Sequence, residues 1–181
     1  LSKQLHQRHV VWPMHHSLTH AVFTSHPSAG VVARMAKRWV ANHYFSDLVP
    51  SEAVELLVAA VYSDAKSPMR PPGTAVAGFL RFLALVSSHD WSKEPLIVDP
   101  KGVLQDSDYT EIVTQFDQAR GKDLQGGPSM FIVAPYDRPD AASDDLGLFR
   151  SKEYQPKWSP TYTQTTPEGV VLQRLTQLAW R

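Results

Sequence analysis

Cysteine is missing from all 181 residues, which excludes disulfides and thiolate metal sites. No apolar run reaches the ~18 residues that a membrane-spanning helix needs, and no membrane partner is expected. A Gly-rich phosphate loop, a Gly-x-Ser-x-Gly elbow and a Cys nucleophile are also absent, removing common signatures of nucleotide and acyl chemistry. Acid is absent from the start of the chain. Residues 1–46 hold five Lys/Arg, seven of the eight histidines and no Asp or Glu, whereas residues 47–181 carry thirteen basic and eighteen acidic side chains. A net charge of zero therefore hides opposed blocks, which suggest either a charged partner, often nucleic acid, or a solvated flank.

What is present is mostly helical. A hydrophobic content of 43% and a charged content of 20% suffice for a buried core. The run from Leu1 to Arg181 reads as one domain, 1–181, of a larger protein. In "SHPSAGVVARMAKRWVANHYF" the residues Val32, Met35, Ala36, Trp39 and His43 form an apolar stripe, opened by Pro27 or Ser28. Ser51 is placed to cap "EAVELLVAAVY", with Glu52 and Glu55 near its positive end and Val54, Leu57, Val58 and Val61 inward. After the proline-rich connection "SPMRPPG", Thr74 caps a helix that is apolar on nearly every side from Phe79 to His89. That pattern predicts the central helix of a bundle. "PLIVD" (95–99) and "MFIVAP" (130–135) read as short strands, and "DSDYTEIVTQFDQA" between them as a helix with Ile112, Val113, Phe116 and Ala119 inward. A long polar loop, 136–165, precedes a last helix with Thr166 as N-cap and Pro167 in first position. The expected fold class is mainly α, a helical bundle with a small two-strand element.

Few residues carry a chemical signal. Asp106-Ser107-Asp108 has the spacing of the paired carboxylates that hold Mg²⁺ in polymerases. It follows the Pro-Lys-Gly turn at 100–102, however, where a helix begins, and capping accounts for it. His16 and His20, at i and i+4 with His15 and His26 close by, lack the Cys or neighbouring acid that would complete a zinc site. His43 reads as a hydrogen-bonded core histidine. No catalytic residue, metal or cofactor is expected. Arg34, Lys37 and Arg38 are predicted to share the helix face opposite the apolar stripe. Such a row suits an RNA backbone or an acidic protein, and equally a solvated surface.

"ARMAKRWVANH" (33–43) followed by "GFLRFLALVSSHDWSKEPLIVD" (78–99) resembles the fifth domain of the Nrap family, the nucleolar RNA-associated proteins of the small-subunit processome. "PMHHSLTHAV" (13–22), "FIVAPYDRPDA" (131–141) and "VVLQRLTQLA" (170–179) follow in that family's order, so the resemblance spans about residues 12–141 and 166–180. It implies a helical PAP/OAS1-like domain paired with a preceding nucleotidyltransferase-like domain, without catalysis, located in the nucleolus of the nucleus. The implied role is a scaffold in pre-rRNA processing and ribosome biogenesis. The implied partners are other domains of the same protein, pre-ribosomal proteins including the UtpC subcomplex, and pre-rRNA or snoRNA. On this view Phe79–His89 is the axis of the bundle, and Asp90-Trp91 lock the turn into the strands. The alternative is the substrate-binding half of an active nucleotidyltransferase, whose catalytic domain lies N-terminal to this chain.

Overall fold

Six α-helices and a two-stranded sheet lie within the residues that the computed structural model describes, 7–63, 70–121, 128–138 and 158–181. The fold is mainly α, as the helical periodicities predict. A π-helical turn, Gln7–Val11, runs into α1 (Trp12–Ser25), with Pro13 in the first turn where a helix tolerates it. His15, Leu18, Thr19 and Val22 form the buried stripe of α1.

In α2 (Ala29–Asn42) the buried residues are Ala29, Val32, Ala33, Ala36 and Val40, with Met35 and Trp39 half-buried beside them. Ser28 precedes α2 without capping it. Its hydroxyl donates to the Pro72 carbonyl (3.1 Å) and accepts from the Tyr62 hydroxyl (2.9 Å). His43 lies just past the helix end, half-buried, with Nδ1 2.8 Å from the Trp39 carbonyl.

The expected order of burial between the next two helices is reversed. α3 (Ser51–Ser63), which includes Ser51 rather than being capped by it, buries Ala53, Val54, Leu56, Leu57, Val58, Ala59, Ala60 and Tyr62. It packs on α1, α2 and α4 (Ala75–Ser88) and is the central helix. α4 buries only Gly78, Phe82 and Val86, and leaves Val76 65% and Leu80 59% exposed. Its neighbours α2, α3 and α6 (Gly169–Trp180) do not surround it. Thr74 caps α4 as expected, its Oγ1 accepting from Ala77 N–H. The turn that follows is also as expected: Trp91 Nε1 donates to the Val86 carbonyl, and Asp90 accepts from the Ser92 backbone and hydroxyl.

β1 (Leu96–Ile97) and β2 (Ile132–Val133) pair in parallel, Leu96 opposite Ile132 and Ile97 opposite Val133. Parallel pairing needs a crossover, here α5 (Asp106–Gly121). The chain around β2 is buried on both faces, which explains an unbroken apolar run. Met130, Ile132 and Ala134 enter the main core, while Phe131 and Val133 join Ile112, Phe116 and Trp158 in a second, smaller one. Val113, expected inward, is 43% exposed, because Ile112 and Phe116 at i and i+4 already define the inner side.

α6 starts at Gly169, two residues later than expected; Thr166 and the buried Pro167 belong to its approach. Of the predicted 136–165 loop, Tyr136 and Asp137 complete a 3₁₀ turn that begins at Pro135, and Trp158, Tyr162 and Thr163 are buried. Residues 139–157 of that loop and 67–69 of the proline-rich connection lie outside the described residues.

Three helices meet at Gly78. A Cβ there would lie 2.5 Å from the Tyr62 hydroxyl and 2.6 Å from Val32 Cγ2. Both neighbours are held, Tyr62 by Ser28 and Val32 by full burial. Helix propensity favours alanine over glycine by about 1 kcal/mol, but overpacking costs about 1–3 kcal/mol. Gly78→Ala is therefore expected to lower stability by up to about 2 kcal/mol in urea denaturation. At Gly30 the nearest atom to an added Cβ is Arg34 Nη1, 3.9 Å away. Gly30→Ala should leave stability unchanged or raise it by up to about 1 kcal/mol.

Candidate functional surface and the polar network behind it

The three basic residues of α2 do not stay together. Arg34 and Arg38, at i and i+4, are exposed on the side away from the core. Lys37 lies on the flank of the buried stripe, and its Nζ is 2.5 Å from Glu55 Oε1 on α3. The predicted three-residue face is thus two arginines, with the partly exposed lysine turned to its partner on α3. Sequence spacing could not show this, since the partner of Lys37 is on another helix.

Behind α2 that ion pair continues into a network. Glu55 Oε2 accepts from His15 Nε2 (2.8 Å), and His15 Nδ1 lies 3.1 Å from the Tyr136 hydroxyl. The Nε2–H tautomer satisfies both contacts, donating to the carboxylate and accepting from the phenol. His15 also meets the Tyr162 ring edge-on at 5.1 Å. Burial works to raise the Glu55 carboxyl, but hydrogen bonds from His15 and Lys37 outweigh it and hold it below the usual carboxylate range. Burial likewise pushes the Tyr136 and Tyr162 phenols well above their ordinary value.

Asp137, next to Tyr136, forms no ion pair among the described residues. It accepts from Ala134 N–H (2.9 Å), Thr161 N–H (3.1 Å) and the Thr161 hydroxyl (2.5 Å). Burial dominates these bonds and pushes its carboxyl up to about 7. The network joins α1, α2, α3, the turn after β2 and the approach to α6. Periodicity could have flagged only His15, which shares a helix face with Leu18, Thr19 and Val22, and Glu55, a lone charge inside an apolar run.

The paired-carboxylate motif is used at a helix start. Asp108 accepts from Gln105 N–H (2.8 Å) and from the Arg138 guanidinium (2.7 Å), and these two partners, in that order, lower its carboxyl. Asp106 is exposed. The exposed rings of His16 and His20 are 5.7 Å apart, and among the described residues no three His, Asp or Glu side chains form a metal-holding group. Among those residues, too, no helix is long and apolar enough to cross a membrane.

A family model described as Nrap protein PAP/OAS1-like domain 5 matches residues 26–181. Nucleolar protein 6 of Xenopus laevis is 41% identical over 125 residues, which cover 69% of this chain and 10% of that protein. Nucleolar protein 6 of Homo sapiens is 33% identical over 167 residues, 92% of this chain and 12% of the other. U3 small nucleolar RNA-associated protein 22 of Schizosaccharomyces pombe is 29% identical over 126 residues, 69% of this chain and 11% of the other. The chain thus spans about a tenth of the length of the curated relatives it matches.

The half-buried Glu55 and the buried Asp137 have opposite pH consequences. Asp137 is raised from 3.8 to about 7, so between those values the folded protein holds a proton that the unfolded chain has released. Its stabilising contribution is full below about pH 4, falls as pH rises through about 7, and is flat above. Glu55 is lowered, so its contribution is lost only on acidification below its ordinary 4.5. Denaturation between pH 5 and 7 should therefore show a slope from Asp137 of at most about 1.4 kcal/mol per pH unit. Asp137→Asn should remove that slope; equal slopes in both proteins would contradict the assignment.

Proposed function

The chain belongs to the Nrap family, and from that membership we propose that it is a noncatalytic, RNA-binding scaffold domain of a longer nucleolar protein. Its process is pre-rRNA maturation within the small-subunit processome, and its place is the nucleolus. The names of its relatives support this reading, two being nucleolar protein 6 and one a U3 small nucleolar RNA-associated protein. A preceding nucleotidyltransferase-like domain, pre-ribosomal proteins including the UtpC subcomplex, and pre-rRNA or snoRNA are its proposed neighbours. The noncatalytic reading draws support from Asp108, whose carboxylate is occupied by a helix start and by Arg138.

The observation that carries RNA binding is the outer face of α2. Arg34 and Arg38 project one turn apart from a helix with no acidic residue, and α1 has none either. Four residues rise about 6 Å along a helix, a spacing that adjacent phosphates of an extended strand match. Two arginines alone give weak, sequence-independent affinity, micromolar or poorer. The remaining parts of the proposed assembly supply the rest.

Arg34→Ala/Arg38→Ala should weaken binding to all single-stranded RNA alike. Two lost phosphate contacts should flatten the dependence of log affinity on log salt by about 1.4, at ~0.7 per contact. Lys37→Ala should mainly lower stability, because it strips Glu55 of a partner. An arginine double variant that binds RNA as well as the parent would leave this face idle or reserved for an acidic protein.

A further inference from the structure

The end of α2 holds a residue that helix energetics does not explain. Phe45 N–H bonds the Val40 carbonyl and Tyr44 N–H the Ala41 carbonyl, the paired bonds of a Schellman C-terminus. The residue at its turning point takes the left-handed conformation and is usually glycine. Here it is Tyr44, with φ 62°. A bulky side chain at positive φ is a genuine outlier. Packing does not compensate: Tyr44 is 91% exposed, and its ring and hydroxyl have no partner among the described residues. Local strain of this kind concentrates at functional sites.

We propose that Tyr44 is a stacking platform for an unpaired base of single-stranded RNA whose phosphates are tracked by Arg34 and Arg38. This deepens the reading of the α2 face as an RNA surface and rests on it. The three side chains follow one another toward the C-terminal end of one helix. The arginine end is cationic. At the other end stand the bare ring, the 41%-exposed Leu48 and a single acid, Asp47. A cationic stretch ending in an aromatic and apolar tip matches a strand that places phosphates along the helix and a base beyond it. Aromatic platforms with a basic groove are how sequence-tolerant single-strand binding is built. The left-handed backbone turns the ring out at the point where α2 leaves the core, and the two Schellman bonds fix that direction.

Fluorescence anisotropy of the chain with a short labelled oligoadenylate, and with an abasic strand of equal length, tests this. The parent should prefer oligoadenylate about tenfold, the ~1.4 kcal/mol scale of one base stack. Tyr44→Gly should bind oligoadenylate about tenfold more weakly, with an unchanged salt slope, no change on the abasic strand and an unfolding midpoint no lower than the parent's. Tyr44→Phe should bind as the parent does. If Tyr44→Gly keeps full affinity while Arg34→Ala/Arg38→Ala loses it, the stacking proposal fails alone, and the tyrosine is left for a protein partner. A parent indifferent to the missing bases, or a weakened Tyr44→Phe, overturns it equally. If the parent binds no RNA, or the arginine variant loses nothing, the basic-face reading and the stacking proposal fall together.

Discussion

At Gly78 the backbone of α4 comes so close to α2 and α3 that one added methyl would collide with both. The rest of the bundle is arranged around that approach. The Tyr62 hydroxyl that closes it donates to Ser28, and Ser28 donates to the Pro72 carbonyl. One short chain of hydrogen bonds thereby ties the end of α3, the start of α2 and the segment leading into α4. Close approach also determines what else can touch. Trp39 and Phe82 meet edge-on at 6.2 Å between α2 and α4, and Phe82 stacks with Phe79 at 6.0 Å. With α2 and α3 occupying one side of α4, α6 packs on another, through a helix that buries Leu172 and Leu175.

This constraint explains what the sequence discloses and what it conceals. Periodicity locates α2, α3, α4 and α5, and short apolar runs locate both strands, because those signals are local. Which helix is central is not a local property. The segment 79–86 carries larger apolar side chains than α3, so it looks like the axis. Yet Ala53, Ala59 and Ala60 let neighbours close on α3 from several directions, while Leu80 faces solvent. Hydrophobicity reports what a side chain prefers; small size decides how near a partner can come. The site divides in the same way. Arg34 and Arg38 could be read from spacing, being opposite the stripe, whereas Lys37 stands at its flank. Only the position of Glu55 in space shows which way the lysine turns. Asp137 carried no readable signal, since its donors, Ala134 and Thr161, come from a turn and a distant approach segment.

Glu55 and Asp137 show how one interior treats two carboxylates differently. Burial penalises the charged form of each. Glu55 meets an ammonium and an imidazole N–H, and these outweigh the penalty. Among the described residues Asp137 accepts only from neutral donors, and three hydrogen bonds do not offset its burial. A polar network of this kind adds little net stability, since each partner gives up water. Its effect is on alternatives. A shift of α1 against α3 that left the apolar contacts acceptable would strand His15 or Glu55 without a partner, and an unpaired buried charge costs far more than a mispacked methyl group. The network therefore selects one register from several that the apolar faces alone would allow.

That selection matters most for α2, which lies at the junction of both devices. Its inner face is held at Val32 by the Gly78 approach, and its flank is held at Lys37 by Glu55. A helix fixed on two sides presents its third side with little freedom left to lose, and less of the contact energy is then spent on ordering the surface. Weak contacts benefit most from this, because two arginines cannot overcome a large ordering cost. The interior thus sets the quality of the outer surface: a domain whose own groups bind feebly contributes to an assembly by holding them at fixed spacing.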